Sequence, residues 1–204
     1  MEQEITISEE KIIEAARNVF HRKGFDGARM QEIADEAGIN KAMLHYYFRS
    51  KDQLFEAVFK EALGRIFPML LSILMSDEPI EENLKKFIPA YIDTIKKHPY
   101  LPGFVLHEMT RNPERLTNMV RSVGVASAPP KILQQLQKGM DEGRYIAIAP
   151  EQILVSVLAA CIFPFVAKPM VKVALGMDDE KFDQFINQRK EQLPEFLLNG
   201  IKKK

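Results

Sequence analysis

The sequence predicts an all-α chain, and three observations predict it. Apolar residues recur at three- and four-residue spacing from Ile12 to Leu197, the signature of helices that bury one face. No stretch alternates apolar and polar residues for long, and none carries strand punctuation. Glycines close several of the periodic segments, among them Gly38, Gly143 and Gly200. At 204 residues and 46% hydrophobic, the chain can build substantial cores. At this length the chain could be one large domain or two small ones; two are expected here, 1–52 and 53–204.

Taken in order, Met1 to Ile7 is expected to fray. Ser8 can cap the first helix, with Glu9 and Glu10 near its positive end and Ile12, Ala16, Val19 and Phe20 on its inner face. Met30, Ile33, Ala34 and Ala37 line a short second helix that must stop at Gly38, a position open to positive φ. Asn40 caps a third, Lys41 to Phe48, whose Leu44 and Phe48 turn inward. Ser50 caps a fourth, with Gln53 at the return position of a capping box. That helix carries Leu54, Phe55, Val58, Phe59, Ala62, Leu63, Ile66 and Phe67, and Pro68 is expected to kink or break it. Further helices read over Glu81 to Lys97, from Pro99-Tyr100-Leu101-Pro102 through about Arg111, and over Pro113 to Val123, Ile132 to Glu142, Glu151 to Lys168 and Asp179 to Asn199. A loop is expected over Gly124 to Pro130.

The chemistry concentrates between Gly24 and Lys51. Ala34 lies four residues before the turn glycine and lets two helices cross closely, while Leu44, six after it, buries against the first. A helix-turn-helix presents its second helix to a DNA major groove in this way. The outward side of that helix shows Lys41, Ala42, Met43, His45, Tyr46 and Tyr47. Between Gly38 and Lys51 there are three cations and no carboxylate. The spacing alone also fits an ordinary helical hairpin with a solvated basic face.

Bulk charge decides nothing, because Lys+Arg and Asp+Glu are both 28; any DNA contact must come from a local patch. One cysteine, Cys161, excludes an internal disulfide framework and fits a reducing cytoplasm. No signal-peptide pattern is visible, and the longest apolar run, Ile153 to Val166, is short for a bilayer and contains Pro164. A cytoplasmic protein without membrane association is the expectation. An all-helical enzyme or metal carrier is the competing class. Its four histidines are scattered, no HExxH pair or Gly-rich phosphate loop occurs, and Cys161 lies in an apolar run. Neither cofactor nor metal is expected.

The run Leu44-His45-Tyr46-Tyr47-Phe48-Arg49-Ser50-Lys51-Asp52-Gln53-Leu54-Phe55 resembles the end of the DNA-binding domain of TetR-family regulators. So does the wider span Ile12 to Phe59, with Val19-Phe20, Lys23-Gly24-Phe25 and Ile33-Ala34-x-x-Ala37-Gly38. The resemblance implies a three-helix DNA-binding domain followed by a helical ligand-binding and dimerisation domain, in a regulator that binds a palindromic operator as a homodimer. Lys41, Ala42, Met43, His45 and Tyr46 are the expected base readers, lysine suiting guanine and small apolar groups suiting thymine methyls. The resemblance implies phosphate contacts for Tyr47 and Lys51. Arg29 either reaches a phosphate or is merely solvated.

Two positions depart from the family: His45, where tyrosine is usual, and Ala28-Arg29, where Thr or Ser commonly cap the second helix. A largely apolar small-molecule effector is implied for the C-terminal part, with Phe67, Leu71, Phe87, Tyr91, Phe104, His107, Glu108, Met109 and Phe163 as candidates from helical position. Each of these is also an ordinary core candidate. For the dimer interface the apolar stripes of the last two helices offer Leu154, Leu158, Cys161, Phe165, Phe182, Phe185, Ile186 and Leu193. A DNA-binding dimer with no small-molecule effector is the remaining alternative.

Overall fold

The computed structural model describes residues 2–111, 113–122 and 131–203. The described residues form α1 (Glu2–Gly27), α2 (Met30–Ala37), α3 (Lys41–Tyr47), α4 (Lys51–Leu74), α5 (Ile80–Lys97), α6 (Leu101–Arg111), α7 (Pro113–Ser122), α8 (Lys131–Asp141), α9 (Pro150–Val166), α10 (Lys168–Leu175) and α11 (Asp179–Ile201). No strand occurs among them beyond a single antiparallel bridge between Tyr145 and Lys202. The all-α expectation holds. They group into two units, Met1–Ile66 with Pro99–Met119, and Phe67–His98 with Val120–Lys204. This draws the N-terminal unit wider than the 1–52 span read from the sequence.

The first unit is built on α1, α2, α3 and the start of α4. Ile12, Ala16, Phe20, Ile33, Ala34, Leu44 and Phe48 are all buried, as their spacing requires. Phe55 meets Phe20 edge-on at 5.3 Å and Phe25 at 4.8 Å between ring centroids. Such pairs add directionality to a small apolar core. Arg17 on α1 holds Glu61 on α4 through two contacts at 2.9 and 2.7 Å.

The second unit packs α5, α8, α9 and α11 around Leu84, Phe87, Ile88, Ile92, Leu136, Val157, Cys161, Phe182 and Ile186. Ion pairs Asp93–Lys190 (2.6 Å) and Lys96–Asp183 (2.7 Å) flank the α5–α11 seam. Tyr145 is buried and its hydroxyl donates to Glu81 at 2.8 Å. The chain end is clasped beside it, with the Ile146 N–H donating to the Ile201 carbonyl at 2.8 Å and the Lys203 N–H to that of Arg144 at 3.0 Å.

Several sequence expectations are corrected. Helix α1 begins at Glu2 and runs through Ser8, so no cap forms there. Its irregularity is instead at Gly24, at φ 68° and ψ 178°. Of the two outcomes expected at Pro68, the break does not occur: the residue lies inside α4 without ending it. Both Pro68 and Gly64 are exposed, so the carbonyl that loses its partner can turn to water. Helix α10 was not expected, and Gly176 at φ 63° ends it. Gly200 stays inside α11. The stop follows one residue later, where the Ile201 carbonyl is taken by Ile146. The loop expected over Gly124 to Pro130 lies outside the described residues.

Candidate nucleic-acid interface

The interface begins at the turn between α2 and α3. The Gly38 N–H donates to the Asp35 carbonyl at 3.1 Å and the Ile39 N–H to that of Ala34 at 3.0 Å. This is the two-bond closure of a helix that ends on a left-handed residue, and Gly38 has φ 69° and ψ 29°. Asn40 Oδ1 then accepts from the Met43 N–H at 2.7 Å, starting α3. At the far side of the segment the Gln53 N–H donates to Ser50 Oγ at 3.2 Å, and Gln53 Oε1 accepts from the Arg49 N–H at 3.1 Å. The expected capping box thus forms, with its return bond shifted one residue. Both ends of α3 are fixed by local bonds.

One buried residue sets the rotation of α3. Leu44 is fully buried, and Lys41, Ala42, Met43, His45 and Tyr46 are all exposed, Tyr46 at 83%. The five residues read as base contacts therefore share one solvent-facing surface. Tyr47 is half-buried and meets Tyr46 edge-on at 5.5 Å. Ala28 is buried, and Arg29, the residue before α2, provides no side-chain cap. Arg29 is exposed.

Charge separates the cations of the unit into two groups. Arg22 pairs with Glu36 and Lys23 with Glu32, each at 2.7 Å. Hydrogen bonds from those cations hold both glutamates below the usual carboxylate range. Lys41 and Arg49, around α3, are exposed and have no ion pair among the described residues. A surface that keeps its cations clear of carboxylates presents net positive charge, which a polyanion can neutralise. Arg49, which the sequence reading placed among the three cations of this segment without assigning it a contact, is exposed just beyond α3. The ammonium of Lys51, expected at phosphate, bonds three backbone carbonyls.

The residues assigned to an effector pocket fall in different settings. Phe87 is buried and stacks on half-buried Tyr91 at 5.3 Å. Burial pushes the Tyr91 hydroxyl up to about 12. Leu71 is half-buried, while Met109 and Phe163 are exposed at 55% and 53%. The side chains of Phe67, Phe104, His107 and Glu108 lie outside the described ones.

For the dimer interface, Cys161, Phe182, Ile186 and Leu193 are buried inside this chain and cannot be its outer face. Leu154, Leu158, Phe165 and Phe185 are half-buried. The apolar side chains that α9 and α11 leave in solvent are others, among them Val155 at 62%, Phe163 at 53% and Phe196 at 73%. Between α9 and α11 lies an open groove of ≈ 320 Å³ bordered by Ala160, Phe185, Arg189 and Phe196. Cys161 has its thiol pushed up to about 12 by burial, far from a reactive thiolate. No single helix among the described residues is long and apolar enough to cross a membrane.

Residues 12–58 match the family described as "Bacterial regulatory proteins, tetR family". The chain belongs to that family. It is 26% identical over 201 residues to the HTH-type transcriptional regulator RutR of Escherichia coli (strain K12), covering 97% of this chain and 92% of RutR. Over 75 residues it is 41% identical to the HTH-type transcriptional repressor BdcR of the same strain, 37% of this chain and 38% of BdcR. The ketosteroid transcriptional regulator KstR2 of Mycobacterium tuberculosis shares the fold, with a TM-score of 0.70, 18% identity, and coverage of 96% and 95% of the two chains. This TetR-family chain is thus a DNA-binding transcriptional regulator.

Proposed function

We propose that the regulator is a homodimeric repressor that binds a palindromic operator and is released by a small-molecule ligand in its C-terminal part. The observation that carries the DNA half is α3, whose one buried residue turns Lys41, Ala42, Met43, His45 and Tyr46 outward together. One such helix reads only a few base pairs. Two, related by a two-fold axis and about 34 Å apart, read successive major grooves. Tyr47 at the end of α3, Arg49 just beyond it and Arg29 before α2 are assigned to phosphates, which fix register without carrying sequence information. His45, in place of the family's tyrosine, sets a base preference of this chain's own.

The dimer half is supported by apolar surface that one chain leaves wet. Val155 and Phe163 lie two helical turns apart on α9, and Phe196 stands exposed on α11. A second copy seated there would bury all three at about 25 cal/mol per Å² of apolar surface. The ligand half is supported by the interior of the second unit. Phe87, Leu84, Leu136 and Val157 border an apolar void of only ≈ 20 Å³, well below the roughly 300–1,000 Å³ of typical ligand sites. A ligand would have to push helices apart to enter, which couples occupancy to shape. It must favour the released arrangement by about 5 kcal/mol to shift occupancy decisively.

The test selects bound fragments from random-sequence DNA and sizes the complex by sedimentation. A palindrome bound by two chains is expected. Lys41→Ala should relax preference at one position by about 1–3 kcal/mol, whereas Tyr47→Ala should weaken all sequences alike. Selected sites without two-fold symmetry, or a complex with one chain, would refute the dimeric reading.

A further inference from the structure

Helix α10 is inside out for a surface helix. A helix on the outside of a protein ordinarily turns its apolar residues to the core and its charges to water. Here Met170, Val173 and Leu175 are exposed at 64%, 85% and 57%, and none of the eight residues is buried. The two charged residues of α10 are drawn the other way. Lys168 and Lys172 both reach Asp179 at the start of α11, at 2.9 and 3.1 Å. The Lys168 ammonium also lies 5.2 Å from the centroid of the Phe182 ring. Such exposed pairs add little stability, but they hold the lysine side of α10 against α11 and leave its apolar side in water.

That wet surface begins before α10. Val155, Ala159, Phe163 and Val166 follow one another at helical spacing on α9 and are all exposed, so they form one stripe. The stripe runs to a bend of 80° between α9 and α10. Pro169, in the first turn of α10, has no N–H with which to continue α9. Met170 and Val173, three residues apart, then carry apolar surface on past the bend.

We propose that α10 is a pairing arm, its outer face covered, together with the α9 stripe, by a second copy of this chain. The proposal rests on the homodimeric reading above and adds an element to the seam. A stable pair covers about 800 Å² on each partner, about 65% of it apolar in homodimers. With large side chains offering roughly 150–250 Å² when fully bared, Val155, Phe163 and Phe196 at their exposures supply on the order of 300–400 Å². Met170, Val173 and Leu175 bring about as much again, enough to make up the difference. A lipid surface is the other occupant that an apolar helix face suggests. Helices that lie on membranes keep their lysines free for headgroups, whereas both lysines of α10 are engaged by Asp179.

Sedimentation across a concentration series tests the arm on the full chain, unaltered and as Val173→Glu and Val173→Ile. The unaltered chain is expected to pair. Val173→Glu should raise the dissociation constant by roughly a hundredfold or more, because each pair would bury two unpartnered carboxylates. Helix content should not change at so exposed a position, and Val173→Ile should pair as the unaltered chain does. A Val173→Glu chain that pairs normally overturns the arm, and so does a tetramer that this substitution splits into dimers. A chain that stays monomeric at every concentration overturns the homodimeric reading and the arm together.

A second measurement needs no variant. Dilute peroxide oxidises accessible methionine sulfurs, and Met170 and Met43 are both exposed. Followed by mass spectrometry, oxidation of Met170 should slow as pairing rises with concentration, while Met43, on the DNA-facing helix, keeps its rate. Met170 oxidised equally fast in monomer and dimer overturns the covered face while leaving the dimer standing. Vesicles of phosphatidylglycerol and phosphatidylcholine should leave the chain in the supernatant; pelleting that Val173→Glu abolishes would give the face to lipid and overturn the assignment to a second copy.

Discussion

Replacing Gly38 by alanine isolates the energetic cost of the turn that aims α3. The glycine has φ 69° and ψ 29°, and a Cβ added there meets no heavy atom within 4 Å. Steric overlap therefore contributes nothing, and the whole penalty is the backbone's left-handed conformation, about 1–2 kcal/mol for an L-residue. The alternative, relaxing φ to an ordinary value, would break the bonds from the Gly38 and Ile39 amides to Asp35 and Ala34. At about 0.5–1.5 kcal/mol each, that route is no cheaper, so the strained turn should persist. Hydrogen exchange at the Ile39 and Leu44 amides reads the N-terminal unit alone; both donate within the motif, at 3.0 and 3.1 Å. Protection should fall by a factor of about 5–30, corresponding to 1–2 kcal/mol. Gly38→Asn should lose less, because asparagine visits the left-handed region more readily. Unchanged protection in Gly38→Ala, or an asparagine variant as damaged as alanine, would refute the reasoning.

Gly139→Ala should fail for the opposite reason: a Cβ built there overlaps the Tyr145 ring. Displacing that buried ring also breaks its bond to Glu81, so a loss of about 2–4 kcal/mol is expected by denaturant titration, partly restored by Tyr145→Leu. At high pH, Tyr91 and Tyr145 should both destabilise the fold. Burial raises each hydroxyl to about 12, and in Tyr145 the bond to Glu81 adds to it. Their folded pKa values lie above the unfolded value of about 10. Their contribution is therefore complete below pH 10 and is lost as pH rises toward 12. A stability–pH slope in that window that Tyr145→Phe fails to reduce would contradict it. Phe163→Asp, at an exposed site, should leave helix content intact but shift sedimentation toward monomer; an unaltered oligomeric state would place the pairing surface elsewhere.

Local patterns carried most of the N-terminal fold. Ile33, Ala34 and Leu44 are legible because each lies on a short helix with polar residues on its other faces, so periodicity admits one orientation. Gly38 and Asn40 announce their turn through backbone chemistry that acts within a few residues. At other positions the local signal misleads. Ser8 looks like a cap, yet the helix continues through it. Gly200 looks like a stop, yet the end of α11 is set by Ile146, far away in sequence. Pro68 is tolerated because the turn before it is a glycine facing solvent.

Helix α9 is apolar on nearly every side, so spacing could not tell the face of Ile153, Val157 and Cys161, which is buried, from the face of Val155 and Phe163, which is not. A one-dimensional pattern distinguishes inside from outside only when the two differ in polarity. Lys51 is the electrostatic form of the same limit. Judged against its own helix, a cation in the first turn is a misfit, and a phosphate is the natural explanation. In the fold the same charge also meets three carbonyls and an aromatic ring, which no local pattern announces. By contrast, Lys41 and Arg49 have no such neighbour, and their exposure leaves them for a polyanion outside the chain. Which acceptors the folded chain supplies to a cation in this domain is known only from what the fold brings alongside it.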